Sequence, residues 1–304
     1  MLPGYLKLFE CGELQKRIDL FEKFYSDCTL CPHQCKVNRK EGKIGICRSG
    51  SKPIVASYNS HFGEEPPISG LYGSGTIFFG RCSGRCIFCQ NYPISQIGTG
   101  KEVSDSRLAE MMIELQERKC HNINLVTPTH FLPSIVSAIL IAVEKGLKIP
   151  IVYNTSGYER YEVIRLLEEI IDIYLPDSKY ADNEIAKNVS GFRNYVENNR
   201  SSLIEMFKQT GNLIINKGIA VKGLIIRHLI LPENYSGTYE VLNFISENLS
   251  KDVHISLMDQ YFPSYKALKH HILSRGITIT EYNNAIESFY VNGLHNGWIQ
   301  EHLD

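Results

Sequence analysis

The chain has 304 residues, 43% of them apolar and 21% charged, with a formal net charge of -1. That length holds one large domain with an appendage or two ordinary domains, and the composition is that of a globular protein. A near-neutral charge without a long basic tract excludes the electrostatic footprint of nucleic-acid or anionic-membrane binding.

The opening stretch, MLPGYLKLFECGELQKR, contains acidic residues and no apolar run, so it does not read as a signal peptide. Over residues 5–27 the apolar positions Leu14, Ile18, Phe21 and Phe24 recur at helical spacing and predict one or two helices. Residues 28–70 are rich in Cys, Gly, Pro and Ser, and read as a loop-dominated module that needs a metal to hold it together. From residue 75 the texture changes to short apolar strands alternating with amphipathic helices. Strands are expected at 75–80, 122–126, 149–154, 171–175, 223–230 and 254–258. Helices are expected at 106–117, with Ser104 or Asp105 as N-cap, at 132–145, with Gly146 as the stop, and at 158–170, 183–216, 238–248 and 280–290. The most apolar run, Ile135 to Val143, is too short to cross a bilayer and reads as a buried helix.

This alternation predicts an α/β fold, a partial, open β/α barrel of about six parallel strands with right-handed helical crossovers. Residues 71–304 form the barrel domain, and residues 1–70 a small N-terminal helix and cysteine-rich metal-binding module. In such a fold ligands bind at the C-terminal ends of the strands. Polar residues stand at each of those ends: Cys82, Cys86 and Cys89; Thr127 to His130; Asn154 to Gly157; Asp177 to Lys179; Arg227 and His228; and Asp259 to Tyr261.

Nine cysteines without a signal peptide argue for metal ligands rather than disulfides. Cys82, Cys86 and Cys89 fall at C-x3-C-x2-C in GRCSGRCIFCQNY. Three thiolates bind three irons of a 4Fe–4S cluster and leave the fourth open for chemistry. The bland reading is a structural zinc with a remote ligand such as His130. A second set, Cys28, Cys31, Cys35 and Cys47, has one C-x2-C knuckle and four thiolates, which suit either zinc or a second iron–sulfur cluster, with His33 as a fifth candidate. Cys11 and Cys120 have no partners in sequence and read as incidental thiols.

The stretch from Cys82 to Cys89 resembles the C-x3-C-x-aromatic-C signature of the radical S-adenosylmethionine superfamily, and nearly the whole chain resembles its pyruvate formate-lyase activating enzyme-like branch with an N-terminal cysteine module. The resemblance implies that the amino and carboxylate groups of S-adenosylmethionine chelate the open iron. It implies that Phe88 packs near the adenine and that Asp177 and Lys179, as a D-x-K motif, help hold S-adenosylmethionine. Arg227, in IIRHLILP, corresponds to the arginine that contacts its carboxylate end. The Gly-Gly-Glu motif expected after the second strand is missing. Thr127 or Thr129 stands in its place as the contact to the methionine amino group, and Asn154 lies in the segment that matches Thr-Asn-Gly. The implied activity is reductive cleavage of S-adenosylmethionine and hydrogen abstraction from a substrate, such as a glycyl residue of a partner enzyme. Implied partners are a flavodoxin or ferredoxin type reductant and a protein or peptide substrate, in the cytoplasm. The bland readings are an exposed Asp177–Lys179 pair, an Arg227 paired with Asp259, and structural roles for His130 and His228. The alternative function is an iron–sulfur carrier or zinc-binding interaction protein without radical chemistry.

Overall fold

The computed structural model describes residues 2–299. Two helices, α1 (Gly4–Glu10) and α2 (Glu13–Ser26), open the chain as the periodicity predicts. The loop module follows, and then β1 (Ile54–His61), the short α3 (Pro66–Ser69) and β2 (Ser74–Phe79). After β3 (Lys101–Glu102) come α4 (Asp105–Glu117), β4 (Ile123–Val126), α5 (Leu132–Glu144), β5 (Ile151–Thr155), α6 (Tyr161–Arg165) and β6 (Ile173–Pro176). The last third holds α7 (Asn183–Ser190), α8 (Tyr195–Thr210), β7 (Ile214–Asn216), β8 (Ile219–Leu229), α9 (Thr238–Asn248), β9 (His254–Met258), α10 (Ile279–Val291) and β10 (Gly297–Ile299).

All six expected strands are present and run parallel in the order β2-β4-β5-β6-β8-β9. A seventh parallel strand, β10, extends the row beyond β9. On the other side β1 pairs antiparallel with β2, and β3 with β1. The ends of the row, β10 and β3, are not paired with each other, so the barrel is open. Strand β1 lies in the segment the composition assigned to loops. Its run IVASYNSH is mostly polar and half-buried, the texture of a strand near an edge, which a search for apolar runs passes over.

Two expected helices are shorter. The polar stretch 183–216 breaks at Gly191, which closes α7 in the left-handed region, and at Asn194, also left-handed, before α8. Its last residues turn back as β7 against β8. The 158–170 prediction condenses to α6 and turns. Helix α4 begins where expected, with Ser104 Oγ accepting from Arg107 N.

Side chains alternate across the strands. Tyr153, Tyr174 and Leu224 join the main core, while Val152, Ile173, Leu175 and Ile225 point inward to a smaller one. Ile68 of α3 completes that inner core with Ala220. Because Ile173 and Ala220 sit at the starts of β6 and β8, α3 plugs the barrel at the N-terminal ends of its strands. Asn122 Nδ2 donates to the Ile68 carbonyl at 2.8 Å and holds the plug there.

At the other end, a fully buried carboxylate ties β4 to β5. Glu159 accepts from Thr129 Oγ1 at 2.6 Å and from the Thr155 hydroxyl, while its Oε2 has no hydrogen-bond partner among the described residues. Burial raises its pKa from the ordinary 4.5 to about 7.

Two outcomes follow. Ile68→Ala leaves a cavity at the plug and lowers the unfolding free energy by about 2–5 kcal/mol in denaturant titrations. Folded protein keeps the Glu159 proton up to about pH 7, whereas the unfolded chain releases it near 4.5, so this group's contribution falls as pH rises between those values. Glu159→Gln therefore melts above wild type at pH 8, with the gap closing toward pH 4.5.

Candidate active site

Strand β2 delivers the chain into the loop at 80–92. Gly84 is required there by close packing, since a Cβ would lie 2.7 Å from Phe192 Cζ. Cys82, Cys86 and Cys89 all line one cavity of about 590 Å³. Each sulfur has a polar neighbour: the Gly84 amide donates to Cys82 Sγ at 3.2 Å, the Ser190 hydroxyl to Cys86 Sγ at 3.0 Å, and Ser95 Oγ lies 3.1 Å from Cys89 Sγ. Burial pushes the Cys82 thiol up to about 12 and the Cys86 thiol up to about 11, with Lys179 working against the Cys86 shift. Such thiols ionise when a metal takes them, and donors to sulfur suit an iron–sulfur centre.

The expected cavity residues converge on the same space. Thr127, Asn154, Asp177, Lys179 and Arg227 all line it. Phe88 does not. It packs edge-on against Tyr261 at 5.8 Å and lines an adjoining cleft of about 240 Å³ with Cys86, Cys89 and Lys179. Thr127 holds a positive φ of 58°, costly for a β-branched residue, and its amide bonds the Asn154 carbonyl at 2.8 Å. Thr129 turns into the protein to Glu159, so of the two threonines only Thr127 lines the cavity.

Asp177 and Lys179 pair at 2.6 Å with side chains only 20% and 15% exposed, which removes the reading of a solvated surface pair. Burial works to lower the Lys179 pKa, but the Asp177 carboxylate and the Cys86 thiol outweigh it and hold it above its ordinary value. Arg227 is paired with Glu64 and Glu65. Its Nε and Nη2 donate to the two Glu65 oxygens at 2.7 Å each, and Nη2 also donates to Glu64. Burial alone would raise the Glu65 pKa, yet Arg227 keeps it below the ordinary carboxylate range. The glutamates, together with His61, Ser256 and Trp298, are among the lining residues that sequence reasoning missed. The one signal for them was the need of a buried arginine for an anionic partner.

Both histidines at strand ends are structural. His130 Nε2 bonds the Gly80 carbonyl at 2.9 Å and is kept neutral by burial, its pKa lowered to about 3. His228 bonds the Ser178 carbonyl and Thr238 Oγ1 at 2.6 and 3.0 Å, with its pKa lowered to about 4 by burial. Neither lines the cavity.

The N-terminal cysteines are unpaired, with Cys28, Cys31 and Cys47 buried. Burial raises the Cys31 pKa, and its neighbours Cys47, Cys28 and Cys35 raise it further, so the four thiols form one electrostatic group. The Ile46 amide donates to Cys35 Sγ at 3.4 Å. His33 turns away to the Ser83 carbonyl at 2.9 Å, inside the other cysteine loop, and Arg85 of that loop donates to the Ile46 carbonyl. Among the described residues, no three Cys, His, Asp or Glu side chains are gathered tightly enough to hold a single metal ion.

The family model for the radical SAM superfamily matches residues 76–245, more than half of the chain. The uncharacterized protein MJ0674 of Methanocaldococcus jannaschii is 33% identical over 287 residues, which cover 90% of this chain and 77% of the relative. The uncharacterized protein MJ0808 of the same organism is 23% identical over 259 residues, covering 79% and 71%. Among solved structures, anSMEcpe with bound AdoMet matches with a TM-score of 0.47 and 11% identity over 72% of this chain and 58% of that one. TYW1 with a lysine-pyruvate adduct matches with 0.44 and 13% over 73% and 74%. The chain belongs to the radical SAM superfamily.

Proposed function

We propose that this radical S-adenosylmethionine enzyme removes a hydrogen atom from a peptide substrate, in the manner of an activating enzyme that acts on a glycyl residue of a partner. The observation that carries the chemistry is a single cavity onto which Cys82, Cys86 and Cys89 open together with Thr127, Asn154, Asp177, Lys179 and Arg227. When bound, a 4Fe–4S cluster and S-adenosylmethionine supply reductive cleavage of the sulfonium C–S bond and a 5′-deoxyadenosyl radical. The three cysteines hold the cluster. Lys179 sets a positive charge beside Cys86 and Cys89, and Asp177 fixes it there. Thr127 and Asn154 line the same wall and offer polar contacts to S-adenosylmethionine. Phe88 offers an aromatic surface at the adjoining cleft, and the resemblance sets Arg227, already bonded to Glu64 and Glu65, toward the carboxylate end. The resemblance to pyruvate formate-lyase activating enzymes supports the glycyl substrate and a flavodoxin or ferredoxin type reductant, and unpaired thiols suit a cytoplasmic setting. No helix among the described residues is long and apolar enough to cross a membrane.

The four N-terminal cysteines are assigned to a second iron–sulfur cluster in preference to zinc. The amide donated to Cys35 Sγ and the iron–sulfur loop already present in the same chain support that choice.

Anaerobically reconstituted, dithionite-reduced protein forms 5′-deoxyadenosine and methionine from S-adenosylmethionine, and Cys86→Ala forms neither. A loaded, reduced wild type that yields no 5′-deoxyadenosine and shows no spectral response to S-adenosylmethionine would leave the carrier reading standing. Metal analysis separates the N-terminal options: a second 4Fe–4S cluster gives about eight irons per chain, falling to about four in Cys31→Ser, whereas a zinc site gives about four irons and one zinc.

A further inference from the structure

The floor of the cavity comes from residues that precede the first parallel strand. Residues 62–65 run from β1 into the plug helix α3, and Glu64 and Glu65 line the cavity beside Arg227. Their side chains are only 7% and 4% exposed. Arg227 pairs with both carboxylates, and the Ser256 hydroxyl bonds Glu65. Behind the lining, Asn124 Nδ2 donates to Glu64 Oε1 at 3.0 Å, and the Oδ1 of this fully buried side chain has no hydrogen-bond partner among the described residues. The other cation of the cavity, Lys179, is committed to Asp177. His61 lines the same end with its ring edge-on to Phe78, and among the described residues no ion pair joins it to either glutamate.

The floor therefore sets two carboxylates against one guanidinium. It has one negative charge more than the described residues balance. A buried charge without a counterion is costly, so the arrangement fits a site completed by a cation. An ammonium group supplies the missing charge and three donors.

We propose that Glu64 and Glu65 form the recognition site for a primary ammonium group of a bound ligand, with Asn124 Nδ2 holding the Glu64 carboxylate in place. This rests on the radical S-adenosylmethionine reading of the cavity. The ammonium comes from one of two sources, the methionine end of S-adenosylmethionine or an amino group of the substrate. The first source matches the lack of a glutamate after β4, where Thr127 lines the cavity and Thr129 is taken by Glu159.

The test uses the full-length, reconstituted protein with Glu64→Gln, Glu65→Gln and the charge-keeping Glu64→Asp. Iron content and thermal melts confirm loading and folding. Equilibrium dialysis measures S-adenosylmethionine and its deaminated analogue, in which hydrogen replaces the α-amino group. Saturation-transfer NMR measures butylammonium as a probe amine. If the floor takes the S-adenosylmethionine ammonium, each Gln variant binds S-adenosylmethionine roughly tenfold more weakly, binds the analogue as wild type does, and Glu64→Asp recovers part of the loss. If it takes a substrate amine, both nucleosides bind unchanged, and butylammonium binds wild type and Glu64→Asp but neither Gln variant. Variants that bind all three compounds as wild type does overturn the inference. A wild type that fails to bind S-adenosylmethionine overturns the radical reading instead, and the butylammonium comparison still decides the floor.

Discussion

The side-on pairing of Arg227 with Glu65, shared with Glu64, is the contact on which the architecture of this site depends. It joins residues 162 positions apart, one on the eleven-residue strand β8 and the other at the entry to the plug helix. A guanidinium inside a barrel loses its hydration and is tolerated only with anionic partners in fixed geometry. Two adjacent glutamates on a short loop provide that geometry bidentately. The same contact fixes the plug relative to the strand ends, so the depth of the cavity and its charge are set by one network.

Around that network the strand ends are held by polar groups facing away from the cavity. Glu159 gathers the hydroxyls of Thr129 and Thr155, and Asn199 bonds the carbonyls of Gly157 and Asp177 at 3.0 Å each. Tyr195 bonds the Ser156 carbonyl at 3.0 Å. These bonds immobilise the backbone beneath Thr127, Asn154 and Asp177, so that Thr127, Asn154 and the Asp177–Lys179 pair line the cavity. A site built this way has its reorganisation completed during folding.

The two cysteine sets are mechanically one unit. His33 reaches from the N-terminal module to the Ser83 carbonyl, Arg85 reaches back to Ile46, and Arg39 spans Gly50 and the His130 carbonyl. Loading a metal group in the N-terminal module would therefore brace the loop that carries Cys82, Cys86 and Cys89. The charge of Arg85 lies among thiols of both sets, which work to raise its pKa against the larger lowering effect of burial.

Much of the fold was legible in the sequence because its signals are local. Apolar runs of strand length, capped helices and glycine stops are read over a few residues, and the six strands they marked are the parallel core. The C-x3-C-x2-C spacing marked the cluster loop, and the polar strand ends marked the cavity face. What escaped was non-local or lacked a pattern: β10 is three residues long, and β1 is too polar to stand out. The direction of a side chain was equally hidden. Thr127 and Thr129 are equivalent in sequence, yet one faces the cavity and the other a buried carboxylate. His33, His130 and His228 carry ligand chemistry as residue types and spend it on backbone carbonyls. By itself the sequence determined the strand alternation and the grouping of the cysteines, because spacing along the chain dictates both. Only the tertiary structure decided that Glu64 and Glu65 answer Arg227, because ion-pair partners are chosen by where the folded chain brings charge together.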